Sequence, residues 1–227
     1  FKDVSFGYNS ETKVIDGLSF TANHNEVTAL IGPSGCGKTT ALRLMSRLYD
    51  YDSGSIEIGG KDIAYLTPDK RGISMVFQNY ALFPHMNVYD NIAYGLKLQK
   101  KGKQEIDERV KKILQLMKME DFASRQISEL SGGQKQRVFI ARAIAQNALI
   151  YFMDEPLAGV DKKTENIIIE TMREFKREGR TIIAVHHDLN TLCEYFDHVV
   201  MVNKQLIASG KTVETFTNEN IAATYGE

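Results

Sequence analysis

The run Gly32-Pro33-Ser34-Gly35-Cys36-Gly37-Lys38-Thr39-Thr40 has the spacing G-x-x-x-x-G-K-[ST]. Glycines at these positions let backbone N–H groups converge on one point, and a helix that begins there adds its partial positive charge. The ligand this chemistry suits is a chain of phosphates. Lys38 has the reach to meet β- and γ-phosphate oxygens, and the Thr39 hydroxyl is a hard oxygen ligand for Mg²⁺. A second glycine pair lies far along the chain in Leu130-Ser131-Gly132-Gly133-Gln134, followed by Lys135-Gln136-Arg137. It opens an apolar-periodic run (Val138, Ile140, Ala141, Ile144), which makes a second helix N-terminus able to receive an anion.

Strand, glycine loop and helix must follow one another if the first run is to work. Residues 26–31 are apolar and β-branched, and Ala41, Leu42, Leu44, Met45 and Leu48 recur at helical spacing after it. Alternation in Val4, Phe6 and Tyr8, and again in Leu18, Phe20 and Ala22, predicts two strands of an antiparallel layer. His24-Asn25 turns the chain into the strand at 26–31. Ser53-Gly54 and Gly59-Gly60 bracket a short strand at 55–58, and another strand over 73–77 ends at Gln78. Asn87 is a suitable cap for a helix over 88–98, and 99–103 reads as a solvated turn. Val110, Ile113, Leu114 and Met117 form the stripe of a core-facing helix. Strands follow at 149–153, 181–185 and 199–202, with 205–208 pairing back, and a helix over 161–176 stops at Gly179. Alternating strands and helices imply an α/β core with a mostly parallel sheet. Residues 1–78 and 147–227 form that core with its antiparallel β layer, and 79–146 form an inserted helical subdomain.

Composition narrows the classes further. A net charge of −1 over 227 residues gives no basic field for nucleic acid. No apolar run approaches the ~20 residues of a membrane span, and no signal peptide is evident. The chain opens on Phe1-Lys2-Asp3 rather than Met. Cys36 and Cys193 do not make a disulfide framework, which suits a reducing cytosol. His24, His85 and His198 lack ligand spacing, so no transition-metal site is expected, and the methionines read as core fillers.

The run at 130–134 resembles the signature motif of ABC-type ATPases, the engine subunits of ATP-binding cassette transporters, and the resemblance covers essentially the whole chain. It implies a P-loop NTPase of ABC type that binds ATP with Mg²⁺ and hydrolyses it. Ile150-Tyr151-Phe152-Met153-Asp154-Glu155 fits the family's Walker B pattern, an apolar strand that delivers two carboxylates. The resemblance gives Asp154 the Mg²⁺, together with Thr39, and Glu155 the general-base role toward water. Gln78 stands where the family has a glutamine that contacts Mg²⁺ and water and links the site to the transporter. Ala158-Gly159-Val160-Asp161 resembles the D-loop. In Val185-His186-His187-Asp188, His187 matches the switch histidine for the γ-phosphate; His186 competes, and the His-Asp order favours His187. Tyr8 fits the adenine-stacking aromatic, with a core tyrosine as the alternative. The implied assembly is a head-to-tail, ATP-dependent homodimer in which Ser131, Gly132, Gly133 and Gln134 cap nucleotide bound to the glycine loop of the opposite copy. The implied partner is a transmembrane permease, received beside Phe83-Pro84-His85-Met86. That places the chain in the cytoplasm at the inner face of the membrane, touching it only through the partner.

Within the family the segments lean different ways. Residues 1–66 look like exporters of peptides or lipids, 69–142 like sugar and polyamine importers, and the stretch from Asp154 onward like metal importers, which suggests a mosaic or designed chimera. Alternative readings are a non-transport ATPase of the same type, or a chimera that binds nucleotide with little turnover. Cys36, beside Lys38 and a helix N-terminus, is expected to be the more reactive thiol; the alternative is a sulfur turned into the core.

Overall fold

The computed structural model describes residues 1–9, 12–66, 71–76 and 82–226. Strands β1 (Lys2–Gly7) and β2 (Lys13–Leu18) run antiparallel, and β3 (Val27–Ile31) follows the turn at Asn25, whose φ is 60°. β2 lies earlier than alternation alone predicts, for Phe20 and Ala22 fall beyond its end. Its place is set by pairing: Ile15 faces Phe6 and Leu18 faces Val4 across the ladder. α1 (Lys38–Met45) opens on the loop lysine and stops before Leu48, which is exposed.

The strand expected at 55–58 is divided at Ile56. β4 (Ser53–Ser55) joins the edge of β1, whereas β5 (Glu57–Ile58) pairs with β6 (Lys61–Asp62) in a separate hairpin. Gly54 is therefore a strand residue and not a turn. The backbones approach so closely that a Cβ there would sit 2.4 Å from the Asp3 carbonyl oxygen.

After β7 (Ile73–Val76) come α2 (Val88–Leu98), α3 (Lys103–Leu116) and α4 (Gly132–Ala145), then β8 (Ile150–Asp154), α5 (Lys162–Arg177) and β9 (Thr181–Val185). The caps are local. Asn87 accepts from Asp90 N at the start of α2, and Asp161 from Thr164 N at the start of α5, each worth about 1 kcal/mol. The stripe Val110, Ile113, Leu114 and Met117 is buried as its spacing requires. The chain closes with α6 (Leu192–Tyr195), β10 (His198–Asn203), β11 (Gln205–Lys211), α7 (Thr212–Thr215) and α8 (Asn218–Tyr225).

The main sheet has the order β11-β10-β3-β9-β8-β7, parallel except where β11 returns on β10. Both its faces are covered, which is why its strands read as unbroken apolar runs. Val27, Ala29 and Ile31 of β3 face the core with α4 and α5, and Leu30 faces the other core with α1 and the antiparallel layer. β9 divides in the same way, with Ile182 and Ala184 on one side and Ile183 and Val185 on the other.

Candidate functional site

Parallel strands bring their C-terminal ends to one edge, and here three of those ends meet. Leu30 of β3 pairs with Val185 of β9, and Val185 pairs with Asp154 of β8. The residues that follow are the glycine loop, the two histidines and Glu155. Ligands of open parallel sheets bind at such an edge. β7 is the next strand, with Val76 beside Met153. Gln78 lies outside the described residues.

The glycine loop closes on itself. Lys38 is buried, and its Nζ donates to the carbonyls of Gly32 at 2.9 Å and Pro33 at 2.8 Å. Phosphate oxygens are charged acceptors and would outcompete those neutral carbonyls for the ammonium. The loop is braced from behind by distant chain. The Lys204 N–H donates to the Cys36 carbonyl at 3.2 Å, and a Cβ on Gly32 would lie 2.0 Å from the Val202 carbonyl oxygen. The Tyr225 phenol sits against the Gly32 backbone. Nothing local in the sequence marks Lys204 or Tyr225 as loop supports.

Cys36 does not behave as expected. It is 3% exposed, and burial pushes its thiol up more strongly than the Lys38 ammonium, 3.7 Å away, pulls it down. Desolvation outweighs the pull of the Lys38 cation, and the residue packs in the core. Cys193 is the exposed thiol.

Thr39 Oγ1 donates to Asp154 Oδ1 at 3.0 Å, so α1 and β8 bring two hard oxygens together. Asp154 is 3% exposed; burial pushes its carboxyl up against the Thr39 hydrogen bond. No group of three or more His, Cys, Asp or Glu among the described residues could hold a cation by itself. One carboxylate and one hydroxyl fit Mg²⁺ that completes its shell with phosphate and water, as this ion commonly does.

Glu155 has φ 51°, a left-handed conformation that costs about 1–3 kcal/mol in a residue other than glycine. Its Oε1 accepts a hydrogen bond from His187 Nε2 at 2.7 Å. His186 points elsewhere. It is buried, bonded to Thr191 Oγ1 at 2.9 Å, and its imidazole is pushed below the ordinary histidine range by burial. Of the two histidines, His187 is the one that reaches the carboxylate.

Tyr8 lies past the end of β1 and is 56% exposed, which rules out a core tyrosine. Its hydroxyl shares a hydrogen bond with Thr40 Oγ1 at 3.0 Å, and its ring stands edge-on to Phe6 and Tyr49. An aromatic face is thereby held beside the first turn of α1.

Ser131 and Gln134 form a capping box at the start of α4, each side chain bonding the other's backbone N–H. Among the described residues, no hydrogen bond or ion pair joins 131–134 to the glycine loop. The expected apolar patch is pinned to α2: Phe83 exchanges backbone bonds with the Asn91 side chain and its ring lies 4.5 Å from that of Tyr94. Beside it opens a cavity of about 250 Å³ lined by Met75, Phe83, Tyr94, Phe139 and Arg142. Gln136 was not marked by motif reasoning, although a polar residue on the apolar face of a helix is a readable signal. Its side chain is buried and donates to the Pro156 carbonyl.

Residues 15–158 match the family model described as ABC transporter. The chain is 45% identical over 196 residues, 86% of its length, to a spermidine/putrescine import ATP-binding protein of Marinobacter nauticus. It spans about half of that relative, 52% of its length. The alignment is long enough to enter all three segments that lean toward different subfamilies. A solved nucleotide-free ATP-binding cassette from an ABC transporter matches with TM-score 0.83 and 30% identity, over 100% of this chain and 94% of that one. A dimeric cassette in a post-hydrolysis state, bound to ADP and Pi, matches with TM-score 0.83 and 28% identity, over 92% of this chain and 97% of that one. Among the described residues no helix is long and apolar enough to cross a membrane.

Proposed function

The chain belongs to the ABC transporter family, and from that premise we propose that it is the ATP-hydrolysing subunit of an importer, working at the cytoplasmic face of a membrane beside a permease. The observation that carries this reading is the meeting of two pairs at one sheet edge: Thr39 with Asp154 at 3.0 Å, and Glu155 with His187 at 2.7 Å. One pair suits a cation on phosphate, the other a base next to it.

Lys38 and the backbone of residues 32–40 hold the phosphates, and Tyr8 stacks on adenine. Thr39, Asp154 and Gln78 hold Mg²⁺, which when bound supplies charge neutralisation at the phosphates. Glu155 takes the proton of the attacking water, and His187 leaves Glu155 for the γ-phosphate. Among the described residues Ser131, Gly132, Gly133 and Gln134 have no bond to their own glycine loop, which supports a head-to-tail homodimer in which they cap the partner's nucleotide. Residues 79–146 act as a helical subdomain whose patch at Phe83 receives the permease. The cassette's relatives point to a polyamine as cargo. A non-transport role has less support, because the matched family model and the import relative both concern transport.

ATP hydrolysis by the purified protein, followed across protein concentration, tests the proposal. Hydrolysis is expected to rise faster than linearly at low concentration, where ATP drives dimerisation. Constant specific activity on dilution well below micromolar would exclude the dimeric site, and no hydrolysis with the permease present would exclude the function.

A further inference from the structure

The segment 155–161, which runs from the second carboxylate to the cap of α5, is held at both ends by the opening turns of α4. At its start, Gln136 Nε2 donates to the Pro156 carbonyl at 2.9 Å. At its end, α4 approaches so closely that a Cβ on Gly133 would lie 2.9 Å from Thr164 Oγ1 and 3.3 Å from Asp161 Oδ2. Burying a glutamine is costly, and Gln136 is 2% exposed. Its Oε1 has no partner among the described residues, so the bond to Pro156 is the polar contact that accounts for an amide at this place. An apolar side chain of the same size would otherwise suit the position better.

Glu155 needs such a restraint. It has φ 51° and it precedes a proline, two steric costs in one residue. A conformation of that kind persists only where its surroundings hold it. We propose that Gln136 is a positioning residue: by holding the Pro156 carbonyl it keeps the left-handed turn at Glu155 and so fixes where that carboxylate points. Gln136 shares the first turns of one helix with Ser131 and Gly133. The inference rests on the reading of Glu155 as the base.

Two variants test it. Gln136→Leu keeps the volume and removes the donor; Gln136→Glu keeps the shape and sets an acceptor against the carbonyl. Amide hydrogen exchange across 155–161 is measured on the full chain, beside ATPase kcat and equilibrium nucleotide affinity. Exchange is expected to quicken in that segment, kcat to fall about tenfold or more, and affinity to stay within about twofold. Faster exchange confined to 155–161 in both variants is the outcome that a role in packing alone does not predict. Unchanged exchange in both variants overturns the clamp whether or not the protein hydrolyses ATP. Faster exchange with undiminished kcat overturns the positioning role. A wild-type chain with no ATPase activity counts against the proposed function, and exchange then decides the clamp by itself.

Discussion

His187 Nε2 lies 2.7 Å from Glu155 Oε1, so the two side chains proposed to meet water and the γ-phosphate meet each other. Glu155→Gln keeps the shape and the acceptor oxygen but cannot take a proton. Turnover should fall about 10²–10⁴-fold with nucleotide binding retained, read by steady-state hydrolysis and equilibrium binding. Loss of binding in parallel would mean that Glu155 holds nucleotide and is not the base.

The role proposed for Lys38 is in binding. Its ammonium is satisfied by the Gly32 and Pro33 carbonyls, so Lys38→Ala removes the charge but also leaves two carbonyls without their donor. Nucleotide affinity should drop about tenfold or more, the loss of one charge-assisted contact. Equal affinity in Lys38→Ala and wild type, measured by calorimetry, would remove Lys38 from the phosphate site.

Gly32 tests the brace behind the loop. Its φ is 151°, and an added Cβ would lie 2.0 Å from the Val202 carbonyl oxygen, which is backbone and cannot swing aside. Gly32→Ala should destabilise the fold by about 3 kcal/mol or more, measured by urea unfolding. A neutral substitution would mean that β10 does not pack against the loop in this way.

Thiol labelling should now favour the other cysteine. Cys193 is exposed and Cys36 is buried, with its thiol pushed up by burial. Brief maleimide treatment of the native protein should label Cys193, and Cys36 only after unfolding, as mass spectrometry would show. Early labelling of Cys36 would restore the expectation drawn from its neighbours in sequence.

Stability should depend on pH through His186. Burial disfavours its cation more than the charge of Asp188 favours it, so its native pKa lies below the ordinary value. Well above about pH 6.5 both folded and unfolded chains hold it neutral, and it contributes nothing to pH dependence. Below that pH the unfolded chain binds a proton that the native state resists, so stability falls as pH drops toward the native pKa. His186→Gln keeps a partner for Thr191 and should flatten the slope of stability between pH 7 and 5 relative to wild type. Parallel curves for the two proteins would show that His186 is not the source.

Much of this molecule follows from short stretches of its sequence. The caps Asn87 and Asp161 bond backbone groups three residues away, so their helices begin where residue type alone places them. The apolar run at 181–185 is a strand buried on both faces, and the loop at 32–40 stands between strand and helix as its spacing requires. The roles proposed for Lys38 and Thr39 likewise come from residue type and spacing, and those proposed for Asp154 and Glu155 from the resemblance of their stretch to the family's pattern.

What the sequence left open depends on which segments become neighbours. β3 lies between β10 and β9, strands more than 150 residues away along the chain in each case, and only that order decides what backs the glycine loop. It sets Val202 against Gly32, Lys204 against Cys36 and Tyr225 against the loop, contacts that no local pattern encodes. The same holds for the burial of Cys36, for the division of the chain at Ile56 between two sheets, and for the contact of His187 with Glu155. Gln136 shows the limit most plainly. Its residue type told of a polar group on an apolar helix face, but only packing α4 against the end of β8 supplied the Pro156 carbonyl that it meets. Local preference acts over three or four residues, whereas burial and long-range hydrogen bonds are set by the tertiary arrangement that brings distant segments together.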